Sequence, residues 1–306
     1  MRVAVLAGGL GGSRFALALA ETIDSEELTI VGNVGDDVEV LGLHVSPDLD
    51  TILYTLTGRL DEDRDWGRKE ETWNALEAAG ELGAETWFQL GDRDIGLHLA
   101  RGERLRRGES LSSATRELAL AFGLRPALLP ATDERLRTWL ETPAGAFPFQ
   151  EWFVGRQHRD EVDGVRFEGA EEARPAPGVL EALAEADLIA IAPSNPFVSI
   201  GPILAVAGIR EALEQRSVPA VAVSPLIAGK AVRGPADRML ARLAGGTGPA
   251  QVTDCYKGLI DALVIDQADA DEDAGIRTIV TRTLMSDADA RRRLADAVLE
   301  TAGALR

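Results

Sequence analysis

The sequence predicts an α/β fold: a Rossmann-like, mostly parallel sheet with helices on both faces and an aromatic-rich inserted subdomain. Short apolar runs alternate along the chain with amphipathic segments of helical length, which is typical of parallel sheets covered by helices. The first run, residues 3–7, leads through a glycine-rich loop at 8–12 into a helix that opens at Ser13. Because this alternation continues to the C-terminal end, we expect a single α/β domain over residues 1–306.

The later elements continue this alternation of strands and helices. Further strands are predicted at residues 28–31, 86–90, 188–192, 220–223, 264–265 and 278–281. Helices are predicted from Asp48 or Asp50 onward, at about 69–79, 95–105, 111–122, 179–186 and 200–215, and at the C-terminal end. The carboxyl ends of parallel strands meet at one edge of a sheet, where such folds bind their ligands. The loops that follow the strands are therefore the candidates for chemistry.

The middle of the chain changes character. Between about 125 and 175 prolines are frequent and aromatic residues cluster from Trp139 to Phe153. Two pieces with alternating polarity, 149–154 and 165–167, read as short antiparallel strands. We predict that this segment is an inserted subdomain that covers the active site.

Charge and cysteine content exclude several classes of function. Lysine and arginine number 32 against 50 aspartates and glutamates, so the formal net charge is −18. A chain this acidic repels polyanions, and without a basic patch it is not expected to bind nucleic acid. The single cysteine, Cys255, excludes an intramolecular disulfide and a cysteine-based zinc site. No apolar run approaches a membrane span and no signal peptide is recognisable, so we expect a cytoplasmic protein.

The glycine loop predicts a phosphate site. Glycines between a strand and a helix let backbone N–H groups approach a phosphate at the helix N-terminus, although a tight turn alone would also favour them. The spacing does not match the dinucleotide-binding fingerprint, whose last glycine falls on Arg14 here. Asn33 ends the second strand where that fingerprint requires an acid, so a nicotinamide cofactor is disfavoured.

An acidic loop follows the second strand. Asp36 and Asp37 are adjacent, and Asp48 and Asp50 come shortly after them. Magnesium prefers carboxylate oxygens and takes one or two of them together with substrate phosphates. The position at a strand end favours a metal site over solvated acids. Asp48 and Asp50 could alternatively cap the helix that follows.

Three further loops carry polar groups. Residues 91–94 place Arg93 between two aspartates, either as an exposed ion pair or as a fixed fork for a phosphate or carbonyl oxygen. Ser194 and Asn195 supply hydrogen-bond donors after the strand predicted at 188–192. Ser224 supplies a further hydroxyl after the strand predicted at 220–223. No serine is evidently paired with a histidine, so a hydrolase triad is disfavoured. His44 lies near the acidic loop and is a candidate substrate contact.

Taken in order, these motifs resemble the 2-phospho-L-lactate transferase family of coenzyme F-420 biosynthesis, nearly from end to end. Each motif alone is weak, but eight in the same order are specific. They are residues 8–12, 35–37, 44–51, 90–94, 149–154, 193–204, 224–227 and 234–237.

The resemblance implies a magnesium-dependent transfer of a 2-phospholactyl or enolpyruvyl-phosphate group. The donor would be linked to guanosine diphosphate, the acceptor would be the ribityl hydroxyl of the deazaflavin FO, and GMP would be released. Nothing in the motifs distinguishes the lactyl from the enolpyruvyl donor. The partners expected are these two small molecules, with no nucleic acid and no membrane; a homodimer is left open.

Residue roles follow partly from the same resemblance and partly from the loops described above. Asp50 and Arg93 are implied to contact FO and to carry the chemistry. His44 and Trp152 are further expected FO contacts, the latter by stacking, although Trp152 would equally suit a core. The expected nucleotide contacts are Gly9, Gly11, Gly12, Asn33, Ser194, Asn195 and Ser224. From the acidic loop itself, magnesium is expected to be held by some of Asp36, Asp37 and Asp50.

Such a transfer depends on positioning and charge neutralisation. If Asp50 holds the metal or the attacking hydroxyl, Asp50→Asn is expected to lower turnover and to leave folding nearly unchanged. The alternative function is a non-catalytic, nucleotide-sugar-binding regulatory protein of a related family. The motifs at 48–51 and 91–94 favour the transferase.

Overall fold

A computed structural model describes residues 1–305 and confirms the α/β fold. Its centre is a seven-stranded sheet in which every pair of neighbouring strands is parallel. In chain order, the central strands are β1 (Val3–Ala7), β2 (Leu28–Gly32), β3 (Ala127–Pro130), β4 (Leu188–Ile191), β5 (Ala220–Val223), β6 (Ala262–Asp266) and β7 (Arg277–Thr281). Strands β1, β4, β5 and β6 are buried along their whole length, as expected for a sheet covered on both faces.

The order across the sheet is β3-β2-β1-β4-β5-β6-β7. This is the doubly wound Rossmann order with one further strand, β7, at the edge. The direction of winding reverses between β1 and β4, which opens a crevice beyond their carboxyl ends. The late strands β6 and β7 are longer than predicted and are full members of the parallel sheet.

The helices connect these strands. They are α1 (Gly9–Thr22), α2 (Pro47–Leu56), α3 (Asn74–Glu81), α4 (Asp92–Arg106), α5 (Leu111–Phe122), α6 (Val179–Glu185), α7 (Gly201–Ala205), α8 (Ile209–Glu214), α9 (Ala236–Leu243), α10 (Pro249–Cys255) and α11 (Ala288–Leu305). Helix α1 packs against both α2 and α11. Because it directly follows β1, its N-terminal turn lies at the carboxyl end of that strand, beside the crevice. Within residues 1–305, no helix combines the length and the apolar character needed to cross a bilayer.

Several predicted elements differ in the structure. Residues 86–90 do not form a strand, because Phe88 and Leu90 pack onto the small hairpin of Val38–Val40 and Leu43–Val45 instead of a sheet edge. The helix predicted at 200–215 is split into α7 and α8, because Gly208 adopts a left-handed conformation with φ of 94°.

The inserted segment contains both central and peripheral structure. Its first strand, β3, belongs to the central sheet, so the antiparallel part begins only at residue 137. That part is a three-stranded sheet of Gly145–Pro148, Arg137–Thr142 and Gly164–Glu168, in this spatial order. The predicted strand at 149–154 is instead largely a π-helical turn, Glu151–Gly155, which buries Trp152.

A buried ion pair joins α2 to α4. Both Asp50 and Arg101 are at most 5% exposed, and Nη1 of Arg101 donates to Oδ2 of Asp50 at 3.0 Å. A second contact joins Nη2 to Oδ1 of the same pair. Burial lowers the pKa of neighbouring His98 to about 4, so this imidazole is neutral and Arg101 alone balances Asp50. Asp50 is thus held as a structural partner of Arg101.

We therefore expect Asp50→Asn to destabilise the fold, contrary to the expectation from sequence. Loss of one partner leaves the Arg101 charge buried without compensation, which costs about 3 kcal/mol or more. Urea unfolding should show this as a lower midpoint with an unchanged slope.

The matched control replaces both partners, with Asp50→Leu and Arg101→Met. Two apolar side chains remove the uncompensated charge, so this double variant should recover most of the lost stability. A wild-type midpoint for Asp50→Asn alone would show that the ion pair contributes little.

Candidate functional site

A cavity of about 680 Å³ lies at the switch point between β1 and β4. Its walls come from the loops that follow the central strands, from the N-terminal turns of α1 and α2, and from the insertion. The lining residues fall within the segments 8–14, 36–51, 64–66, 88–89, 149–158, 193–199, 224–236 and 283–286. The volume is sufficient for a small-molecule ligand.

The glycine loop forms the floor of the cavity. Gly9 has a left-handed φ of 66°, and its N–H donates to Oδ1 of Asp48 at 2.7 Å. A Cβ at Gly11 would lie 2.5 Å from the carbonyl oxygen of Pro193. A Cβ at Gly12 would lie 2.7 Å from Oγ of Ser194. Glycines therefore let α1 approach the loop after β4; Gly9 and Gly11 line the cavity, whereas Gly12 does not.

The predicted polar residues Ser194, Asn195 and Ser224 all line the cavity. Each also stabilises its own loop. The hydroxyl of Ser194 donates to the carbonyl of Gly8 at 2.8 Å, and Oδ1 of Asn195 accepts from the N–H of Phe197 at 2.9 Å. Oγ of Ser224 accepts from the N–H of Leu226 at 3.2 Å. The loops are thereby held in fixed conformations around the ligand space.

The carboxylates of Asp36 and Asp48 form one wall of the cavity, here called the acidic wall. Nδ2 of Asn33 donates to Asp36 at 3.1 Å and to Asp48 at 2.9 Å, and it thereby bridges the two acids. Nε2 of Gln150 also donates to Asp36, at 3.1 Å. Burial raises the pKa of Asp36 well above its usual value and raises that of Asp48 to about 6. Both acids line the cavity, whereas Asn33 is fully buried and does not.

The predicted metal ligands are not brought together. Asp50 faces Arg101, and Oδ2 of Asp37 accepts from Ser46 at 2.9 Å and lies 3.0 Å from Nε2 of His44. Between residues 1 and 305, no three His, Cys, Asp or Glu side chains are arranged to hold a metal ion. The pair that shares the cavity is Asp36 with Asp48. This donor set fits magnesium, which takes one or two protein carboxylates and completes its shell with phosphate oxygens.

All four predicted FO contacts lie outside the cavity lining, and Asp50 faces Arg101, as described above. His44 is engaged with Asp37, as described above. Trp152 is 1% exposed, and its indole N–H donates to the carbonyl of Asp160 at 3.2 Å, so it is a core residue. The side chain of Arg93 is 48% exposed and pairs with Glu70 at 3.1 Å.

The insertion instead presents an aromatic column, defined as Phe149, Phe153 and His158, to the cavity. The rings of Phe149 and Phe153 are stacked at 5.2 Å and 13°. The rings of Phe153 and His158 are stacked at 5.0 Å and 21°. The four-residue spacing of the phenylalanines is the sequence signal for this column, since it places both rings on one side of a helical turn. His158 carries no comparable signal.

Sequence reasoning also missed the cationic side of the cavity. Within residues 1–305, the arginines that line it are Arg14, Arg64 and Arg233. Arg64 forms an ion pair with Asp61 at 2.8 Å, and its guanidinium lies 5.2 Å from the centre of the Trp66 ring. Arg14 and Arg233 both contact Asp65, which lines the cavity between them.

Comparison with solved structures reproduces the fold. A crystal structure of a UPF0052 family protein from Bacillus halodurans superposes with a TM-score of 0.65 and 18% identity. The superposition covers 97% of this chain and 98% of that one. At this identity the likeness establishes the architecture only.

Comparison of sequences establishes the family. The phosphoenolpyruvate transferase of Streptomyces griseus is 42% identical over 317 residues, covering both chains in full. That of Mycolicibacterium smegmatis is 39% identical over 325 residues and covers 99% of each chain. The family model described as "2-phospho-L-lactate transferase CofD" matches residues 3–301. This protein is thus a member of the 2-phospho-L-lactate transferase CofD family.

Proposed function

We propose that this protein transfers an enolpyruvyl-phosphate group from a guanosine diphosphate-linked donor to the ribityl hydroxyl of FO, in coenzyme F-420 biosynthesis. The observation that carries the proposal is that one cavity is lined by three features together. These are the loops expected to bind phosphate, the carboxylate pair of Asp36 and Asp48, and the aromatic column. Family membership supports the transfer chemistry. We choose the enolpyruvyl over the lactyl donor because the relatives of 38–42% identity are named phosphoenolpyruvate transferases.

The donor is assigned to the side of the cavity nearest the switch point. There the N-terminal turn of α1 and the loops after β4 and β5 supply backbone N–H groups, hydroxyls and an amide. A helix N-terminus is a favourable place for a phosphate, since its first N–H groups have no partner within the helix. Ser194, Asn195 and Ser224 line the same side.

The acceptor is assigned to the aromatic column. The deazaflavin ring is planar and aromatic, and Phe149, Phe153 and His158 bring three aromatic rings to the cavity lining against which it would pack. This replaces the predicted role of Trp152, whose ring is enclosed by the core. Contact of FO with Asp50 or Arg93 has no support from the cavity lining.

The reaction forms one bond and breaks one. The ribityl oxygen attacks the phosphorus that bears the enolpyruvyl group, the bond from this phosphorus to the GMP phosphate oxygen breaks, and the hydroxyl proton is released. Asp36 and Asp48 would hold magnesium, which when bound neutralises phosphate charge. The chain itself positions the two substrates in line, and this accounts for most of the catalysis in such transfers.

The direct test incubates the protein with FO, magnesium and either the enolpyruvyl or the lactyl donor, and follows products by mass spectrometry. We expect GMP and the phospho-linked FO adduct, formed faster with the enolpyruvyl donor. Binding of GDP without any adduct would instead support the regulatory alternative. In calorimetry we expect GDP to bind and NAD to fail.

We expect Gly11→Ala to weaken GDP binding at least tenfold. The added Cβ would meet the carbonyl oxygen of Pro193 at 2.5 Å, so α1 and the loop after β4 must move apart. Calorimetry with GDP measures the effect.

Gly96→Ala is the matched control. Gly96 is also helical, and its added Cβ would meet nothing within 4 Å. Its GDP affinity should equal that of the wild type. If Gly11→Ala kept that affinity as well, the close approach would be irrelevant to the nucleotide.

We expect Phe153→Leu to raise the KM for FO several-fold while the KM for the donor stays constant. Leucine keeps much of the apolar volume but loses the aromatic ring, whose contact with an aromatic ligand is worth about 0.5–1.5 kcal/mol. Phe147→Leu is the matched control, since Phe147 belongs to the same insertion but does not line the cavity. Equal KM values for FO in wild type and Phe153→Leu would contradict the assignment of the acceptor.

A further inference from the structure

A three-residue bridge in the cavity lining joins distant parts of the chain. Nη2 of Arg14 donates to Oδ1 of Asp65 at 2.8 Å. Nη2 of Arg233 contacts the other oxygen, Oδ2, of the same carboxylate. Arg14 lies on α1, Asp65 in the loop after α2, and Arg233 in the loop before α9. One carboxylate therefore receives one guanidinium on each of its two oxygens.

The bridge faces the ligand space. All three residues line the cavity, and the side chain of Asp65 is only 9% exposed. On α1, Arg14 follows Leu10 by four residues and Gly11 by three, so it shares the helix face that these cavity residues present. The side chains of Arg14 and Arg233 remain 33% and 68% exposed, so an incoming ligand can reach them.

An anionic donor needs positively charged partners in this cavity, and Arg14 and Arg233 can supply them. The proposed donor carries a diphosphate and a carboxylate, whereas Asp36 and Asp48 line the cavity as acidic groups and offer the donor no positive charge of their own. Within residues 1–305, Arg14 and Arg233 are the lining arginines whose ion pairs are with another lining residue. Arg64 is paired with Asp61, which lies outside the cavity lining.

We propose that Arg14 and Arg233 bind the carboxylate of the donor's three-carbon acid, and that Asp65 stands in for this carboxylate when the donor is absent. The inference rests on the proposed function and deepens it, since it assigns the part of the donor that GDP lacks. Arginine suits this role because its planar fork matches a carboxylate.

The test compares three ligands by calorimetry: GDP, the enolpyruvyl-diphosphate ester of guanosine, and the same ester with its carboxylate converted to a carboxamide. With the wild type, the acid form should bind on the order of tenfold more tightly than the amide. Arg14→Gln and Arg233→Gln should each abolish most of this ratio and leave GDP and the amide unchanged.

Asp65→Asn should increase the ratio of affinities for the acid and amide forms, whereas the arginine variants should reduce it. Asp65 has a left-handed φ of 64°, which asparagine tolerates, so the loop is preserved. The variant lacks the competing charge, so the acid form should bind several-fold more tightly while the amide binds as before. Arg116→Gln, at a side chain 71% exposed outside the cavity, is the control for loss of an arginine.

The outcomes separate the two proposals. An acid-to-amide ratio unchanged in both arginine variants overturns the inference, as does a parallel loss of GDP affinity, which would make the arginines a phosphate site. Weaker binding of the acid form by Asp65→Asn also overturns it. If the wild type transfers its group to FO yet binds acid and amide equally, only this inference fails. If the wild type binds none of the three ligands, the proposed function fails with it.

Discussion

The close approach of α1 to the loop after β4 depends on two positions that have no side chain. At Gly11 the neighbour is a backbone carbonyl, and at Gly12 it is the hydroxyl of Ser194. Backbone cannot yield as a flexible side chain can, so any larger residue at Gly11 must separate the two loops. Because these loops flank the switch point, their spacing determines the width of the floor on which a phosphate would lie.

Buried polar groups fix the acidic wall, which contacts the glycine loop through Asp48 and Gly9. Asn33 is fully buried, and its single amide nitrogen holds Asp36 and Asp48 together, while Gln150 reaches Asp36 from the insertion. Buried polar groups are costly unless they are hydrogen-bonded, so this network resists rearrangement. It also ties the antiparallel insertion to the central sheet, and it thereby places the aromatic column against the same cavity as the carboxylates.

The role of Asp50 differs between sequence and structure: the sequence suggests a metal or substrate contact, whereas the structure shows an ion pair with Arg101. In the sequence it is one of four nearby acids at a strand end, and nothing separates its role from that of Asp48 two residues earlier. On α2, positions two apart point in different directions. Asp48 therefore faces the glycine loop, whereas Asp50 faces Arg101, which lies 51 residues further along the chain. Only packing of α4 on α2 reveals that partner.

The sequence by itself determined the α/β class, the glycine loop and the polar strand ends, because alternating apolar runs and glycine spacing are local signals. It also carried the order of motifs that the family comparison confirms. The tertiary structure decided which of those polar groups share a cavity, because side-chain direction and distant partners are not local. Trp152 and Phe153 are neighbours in sequence, yet one is enclosed by the core and the other lines the cavity. Arg14, Asp65 and Arg233 lie far apart in sequence, and only the fold makes them one cluster.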